Sequence, residues 1–121
     1  MNTVLLLHDR LSTTVMLFFL AVGLWGLVEY ARGGSIGGNI SGALIIGQVL
    51  VLVQGLFGMT LFLFTDDKAP FMHLLYGFVA ALSMPFIWSY VRDKAPRPGL
   101  LMYSLGALFI FGLAIRGMTT A

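Results

Sequence analysis

Four apolar segments, each about as long as a bilayer-spanning helix, occupy most of this 121-residue chain. They cover residues 11–30, 42–64, 70–91 and 99–118. The hydrocarbon core of a membrane requires about 20 consecutive apolar residues from a spanning helix. A transmembrane β-strand would instead alternate in polarity over roughly ten residues. The sequence therefore predicts an all-α integral membrane protein with one membrane domain over residues 1–121.

The composition excludes several classes of soluble protein. Hydrophobic residues make up 59% of the chain, charged residues only 10%, and the mean hydropathy is +0.95. A soluble domain carries about 25% charged residues, so a soluble enzyme, a disordered tail and a secreted domain are all excluded. No cluster of Lys and Arg with interleaved aromatics indicates a nucleic-acid partner. The expected surroundings are the lipid bilayer and other membrane proteins.

The connections between the segments are short and rich in turn-forming residues. They cover residues 31–41, 65–70 and 92–99, and they contain most of the Asp, Lys, Arg and Pro residues. Short connections force successive helices to run antiparallel. We therefore expect an up-down-up-down four-helix bundle, with Pro70 at the start of the third helix, where proline is favoured.

The absence of cysteine limits the possible chemistry. It excludes a disulfide, a covalently attached c-type haem, an iron–sulfur cluster and a thiolate zinc site. Residues 1–10 lack the basic start and the cleavage site of a signal peptide, so we expect the first apolar segment to remain as a membrane helix.

Basic residues indicate the orientation of the bundle. The side with the N-terminal segment has Arg10, Lys68 and Arg116, and the opposite side has Arg32, Arg92, Lys94 and Arg97. Because basic residues favour the cytoplasmic side, the termini are expected to be extracytoplasmic. Aromatic residues that would form an interfacial belt accumulate toward the opposite side: Trp25, Tyr30, Trp88, Tyr90 and Tyr103.

His8 and His73 are the main candidates for a functional site, because ionisable residues in membrane helices are costly. They start the first and third helices, which run parallel, so both imidazoles are expected on one side. Gly77 and Ala80 follow His73 at helical spacing and leave a flat slot suited to haem or chlorophyll. Arg116 lies near the end of the fourth helix on that side and can pair with a haem propionate, since guanidinium binds carboxylate bidentately.

Three alternatives for these histidines remain open. Each is compatible with an interfacial side chain that hydrogen-bonds to water, or with a single-histidine pigment ligand. Zinc would need a third ligand from Asp9, Asp66 or Asp67. If the first helix begins at Leu11, His8 lies about 6 Å outside His73 along the bundle. A shared iron then requires a tilted or longer first helix.

Small and amide residues predict the helix-packing seams. On the second helix they are Gly47, Gln54 and Gly58, and on the third they are Gly77, Ala80 and Ala81. Small residues let helices approach closely in lipid, and an amide can hydrogen-bond across helices. One seam is expected to serve the bundle and the other a neighbouring protein. For Gln54, binding of a ligand or quinone is the alternative. Pro85 is expected to kink the third helix.

Three short motifs resemble small four-helix, cytochrome b-like membrane proteins of bacteria. They are residues 7–10 (LHDR), 52–58 (LVQGLFG) and 72–77 (MHLLYG). The half-modules of haem A synthase and the copper-resistance D membrane proteins are similar. The resemblance implies His8 and His73 as ligands of haem b. The chain departs from the haem A synthase pattern because neither histidine has an acidic residue one turn before it.

The chain also resembles small accessory membrane subunits of bacterial quinol-oxidising complexes such as alternative complex III. Our first hypothesis is accordingly an accessory subunit of a respiratory or photosynthetic complex in the bacterial inner membrane, with no required cofactor and no catalytic activity of its own. Its seven Met and ten Phe supply an adaptable surface. The alternative is a b-type cytochrome, ligated by His8 and His73, that exchanges electrons with quinol.

Overall fold

The computed structural model describes residues 2–66 and 68–120, and these residues form four α-helices. The helices are α1 (Asn2–Ala31), α2 (Gly38–Phe64), α3 (Phe71–Val91) and α4 (Pro96–Thr120). Each helix is long and apolar enough to cross a membrane. The predicted all-α fold with four bilayer-length helices is therefore confirmed. Asp67, one of the possible third ligands named above, lies outside the described residues.

The helix ends differ from the predicted ones in physically simple ways. α1 begins at Asn2 and continues through His8 and Arg10, because polar side chains leave the backbone hydrogen bonds of a helix intact. Pro70 is the cap of α3 (φ −61°, ψ 155°), so it precedes the first helical residue. α4 begins at Pro96, where the missing N–H of proline would have no intrahelical partner in any case.

The helices surround one core, and each contacts the two that neighbour it around the bundle. The contact between α1 and α4 is the most extensive, and that between α2 and α3 is the least. Over the described residues, the backbones of α1 and α3 do not approach each other closely, and neither do those of α2 and α4. These two pairs therefore lie across the diagonals of the bundle.

Glycines allow the close approach of α1 to α4. A Cβ atom at Gly23 would lie 2.6 Å from Leu108 Cδ2, and one at Gly26 would overlap the Ser104 hydroxyl. Ser104 is buried and donates its hydrogen to the Leu100 carbonyl at 2.7 Å. The close contact thus depends on glycine at two positions of one helix, as is common between membrane helices.

Large apolar side chains cover the outside of the bundle. Those on α2 and α3 with exposed fractions above 60% are Ile45 (66%), Leu56 (65%), Phe64 (71%), Phe71 (74%), Phe78 (63%) and Phe86 (73%). Soluble monomers rarely present contiguous apolar surfaces of this kind. The exterior is compatible with a lipid bilayer.

Pro85 lies inside α3, which continues as a helix to Val91. Proline has no N–H, so the carbonyl four residues earlier, that of Ala81, loses its intrahelical donor. The side chain of Gln48 on α2 replaces it, with Nε2 donating to the Ala81 oxygen at 2.9 Å. A neighbouring helix therefore satisfies the freed carbonyl, as membrane proteins require.

Candidate functional site: a histidine pair at one end of the bundle

His8 on α1 and His73 on α3 meet across one diagonal of the bundle. Their ring centroids are 6.3 Å apart, and the ring planes are inclined by 72°. α1 extends to Asn2, so His8 lies within this helix and not before it. The two imidazoles therefore share one site.

The Gly117 carbonyl on α4 orients His73. The distance from His73 Nδ1 to the Gly117 oxygen is 2.9 Å. A carbonyl oxygen only accepts hydrogen bonds, so Nδ1 carries the proton and Nε2 of the neutral ring keeps its lone pair. Metal-bound histidines in proteins commonly have this arrangement, with the second ring nitrogen donating to a carbonyl or carboxylate.

Gln54 on α2 holds the backbone of His8. Its Nε2 donates to the His8 carbonyl oxygen at 2.9 Å. The same two side chains have one buried atom each without a hydrogen-bond partner among the described residues. These atoms are His8 Nδ1 and Gln54 Oε1. Burying an unpaired polar atom costs about 1–3 kcal/mol. The site thus contains polar atoms that a bound molecule or ion would stabilise.

Glycines of the other two helices flank the pair. A Cβ atom at Gly58 on α2 would lie 3.1 Å from Cε1 of His8. At Gly117 on α4 a Cβ atom would lie 3.9 Å from Cε1 of His73. Both α2 and α4 therefore present backbone to the histidines, which leaves more room than any larger residue would.

The structure places Arg116 near this end of the bundle, next in sequence to Gly117. Its guanidinium lies 5.9 Å from the centre of the Tyr76 ring. Its side chain is exposed, so a carboxylate in the adjacent interface can reach it. Over the described residues, no group of three or more His, Cys, Asp or Glu side chains forms.

The predicted seam on α2 faces α1. A Cβ atom at Gly47 would lie 2.7 Å from Phe19 Cζ, and Gln54 and Gly58 both contact His8. On α3, Ala80 and Ala81 pack against the core. Gly77 is exposed, and a Cβ atom there would meet nothing within 4 Å. Gly77 is therefore the one residue of the two predicted packing seams that has open space beside it.

Sequence reasoning missed two parts of the site. The Gly117 carbonyl is a backbone group, which no residue type reveals, although a glycine one position after Arg116 was a weak signal. The second part is the extension of α1 to Asn2, because the polar residues 8–10 resemble a helix boundary. No known protein family, curated protein or solved structure matches this chain.

Proposed function

We propose that this protein is a b-type haem protein of the bacterial inner membrane, in which His8 and His73 would hold the haem, and that it belongs to an electron-transport complex. The observation that carries this proposal is the 6.3 Å separation of the two imidazole centroids. Of the two hypotheses from the sequence, this geometry supports the cytochrome better than an accessory subunit without a cofactor.

The separation of the two rings supports bis-histidine ligation. Imidazole nitrogens bind transition metals at about 2 Å, which places two opposed ring centres roughly 6 Å apart. His73 has its Nδ1 proton held by the Gly117 carbonyl and its Nε2 lone pair available. The glycines at positions 58 and 117 bring the backbones of α2 and α4 close to the two rings. When bound, haem would supply one-electron redox chemistry.

The other residues position and insulate the pair. The Gln54 amide on α2 hydrogen-bonds to the His8 carbonyl, and the Gly117 carbonyl orients the His73 ring. Both histidines are half-buried, and burial influences the reduction potential of a haem iron. Arg116 would pair with a carboxylate at the edge of the site.

We further propose that the four helices cross the bilayer in an up-down-up-down arrangement with extracytoplasmic termini. Contacts between helix ends support the up-down-up-down arrangement. Arg97, near the start of α4, donates to the carbonyl of Tyr30 at the end of α1, at 2.8 Å. His73, near the start of α3, contacts Gly117 near the end of α4. Both contacts pair the start of one helix with the end of another.

The test is an absorption spectrum of the purified full-length chain, measured as the difference between the reduced and oxidised forms. We expect a b-type band in the wild type. His8→Leu and His73→Leu should each abolish this band while the protein remains in the membrane. Thr60→Val is a matched control, because Thr60 bonds only to its own helix, at the Leu56 carbonyl. A band that survives both histidine substitutions would overturn the proposal.

A second candidate is the accessory subunit without a cofactor. The exposed phenylalanines of α2 and α3 and the open position at Gly77 favour this function, since both suit contact with a neighbouring membrane subunit. In mild detergent, the chain should then co-purify with a larger complex in fixed stoichiometry. Gly77→Leu should reduce the recovery of that complex. Gly112→Leu is the control on α4, where a Cβ atom also meets nothing within 4 Å.

A further inference from the structure

A pocket at the end of the bundle opposite the histidine pair has a wall of hydrogen-bond donors. Its volume is about 260 Å³, and it lies where the end of α3 meets the start of α4. The polar side chains in its wall are Ser41, Trp88, Arg92, Lys94 and Tyr103. Each of them can donate a hydrogen bond, two carry a positive charge, and none is a carboxylate. The pocket therefore matches an anion that only accepts hydrogen bonds.

The positive charge of this pocket has no acidic partner. Over the described residues, Arg92 and Lys94 form no ion pair, and Glu29 pairs with Arg32 at 3.9 Å. Asp93, the other acidic residue at this end, does not line the pocket. This end of the chain has four basic and two acidic residues, which accounts for the whole net charge of +2. An anion from outside the protein would complement that charge.

An apolar groove of about 500 Å³ continues from the pocket toward the middle of the bundle. The residues that line both cavities are Ile36, Ser41, Trp88 and Tyr103. The groove follows α2 from Ser41 to Gln48, which is about 10 Å at the rise of an α-helix. It lies on the flank where α2 and α3 make the least extensive contact. A molecule that occupies both cavities has an anionic head and an apolar chain.

We infer that this surface binds one anionic phospholipid, with its phosphodiester at Arg92 and Lys94 and an acyl chain in the groove. The phosphodiester oxygens accept hydrogen bonds and carry the negative charge that the pocket lacks. The ammonium group of a zwitterionic phospholipid finds no carboxylate in the pocket wall, so an anionic headgroup is preferred. The inference requires the helices to cross a bilayer, as proposed above, but it does not depend on haem.

The test measures lipid preference at Trp88, which lines both cavities. The chain has two tryptophans, so Trp25→Phe in the full-length protein leaves Trp88 as the only fluorophore of this kind. The protein is placed in nanodiscs of phosphatidylcholine and phosphatidylglycerol, and either lipid in turn carries bromine on its acyl chains, which quenches nearby tryptophan. We expect phosphatidylglycerol to be preferred at least about fivefold, the attraction of one basic side chain for an anionic lipid surface.

Charge variants in the same background separate a defined site from general attraction. Lys94→Gln should reduce the preference, and Lys94→Gln together with Arg92→Gln should remove it. Arg32→Gln is the control, because it removes one positive charge from the same end but does not line the pocket. Equal quenching by the two lipids before these changes, or an equal loss of preference in Lys94→Gln and Arg32→Gln, would overturn the inference.

A steric variant tests whether the groove holds the acyl chain. Ser41 lines both cavities, so Ser41→Leu should obstruct their junction and weaken the preference for phosphatidylglycerol. Gly42→Leu is its matched control, because a Cβ atom at Gly42 meets nothing within 4 Å. A preference that persists in Ser41→Leu at the level of Gly42→Leu would overturn the inference, since the anion would then bind without the groove.

Discussion

At the scale of residues, the contact between Gly58 and His8 is the most sensitive point of the histidine site. A Cβ atom at Gly58 would lie 3.1 Å from His8 Cε1, so even alanine requires a small movement of the ring. We expect Gly58→Leu to displace His8 and remove the b-type band. The spectrum of Gly55→Leu is the control, because a Cβ atom at Gly55 meets nothing within 4 Å. A full band in Gly58→Leu would contradict the assigned position of His8.

The residues of the site could be predicted only in part. His8 and His73 were recognisable because ionisable residues are rare within these apolar segments, and because alternate helices of a bundle run parallel. The structure brings these two together. The partner of His73 is a backbone carbonyl, which the amino-acid sequence does not distinguish from any other. The polar residue Gln48 is visible in the sequence, but its partner depends on Pro85, 37 positions later in the chain.

At the scale of helices, the close contact of α1 with α4 determines how much of the bundle is buried. The leucine side chain of Gly23→Leu would collide with Leu108, because even a Cβ atom at position 23 would lie 2.6 Å from Leu108 Cδ2. Overpacking of this kind costs about 1–3 kcal/mol. We expect a lower unfolding midpoint in detergent than for the wild type. Gly112→Leu, in open space on α4, should unfold near the wild-type midpoint, and equal midpoints for both variants would contradict this packing.

The four helices were predictable because length and apolarity alone identify bilayer-length segments. Their ends were less predictable. At the start of α1 the polar residues 8–10 resemble a boundary, yet the helix continues because the backbone hydrogen bonds are made within the segment. The seam on α2 was recognised from its small residues, but which helix it faces depends on the rotation of α2, and the weak amphipathicity of these helices leaves that rotation unspecified.

At the scale of the whole molecule, the proposed topology places the termini on one side of the membrane and Lys94 on the other. A reporter fused after Ala121 and a reporter inserted at Lys94 should therefore indicate opposite sides. Only α4 lies between Lys94 and Ala121, so one crossing separates the two reporters. The excess of basic residues near Lys94 predicts that this side is cytoplasmic. Reporters that indicate the same side would contradict four membrane crossings.

If His8 and His73 both hold one haem, the spin state of the iron is the most direct measurement of their ligation. Two imidazole ligands give a six-coordinate, low-spin haem with no vacant axial position. We therefore predict a low-spin electron paramagnetic resonance signal in the oxidised wild type, one haem per chain, and no binding of carbon monoxide after reduction. A high-spin signal, ready binding of carbon monoxide, or a correctly folded preparation without iron would contradict the account.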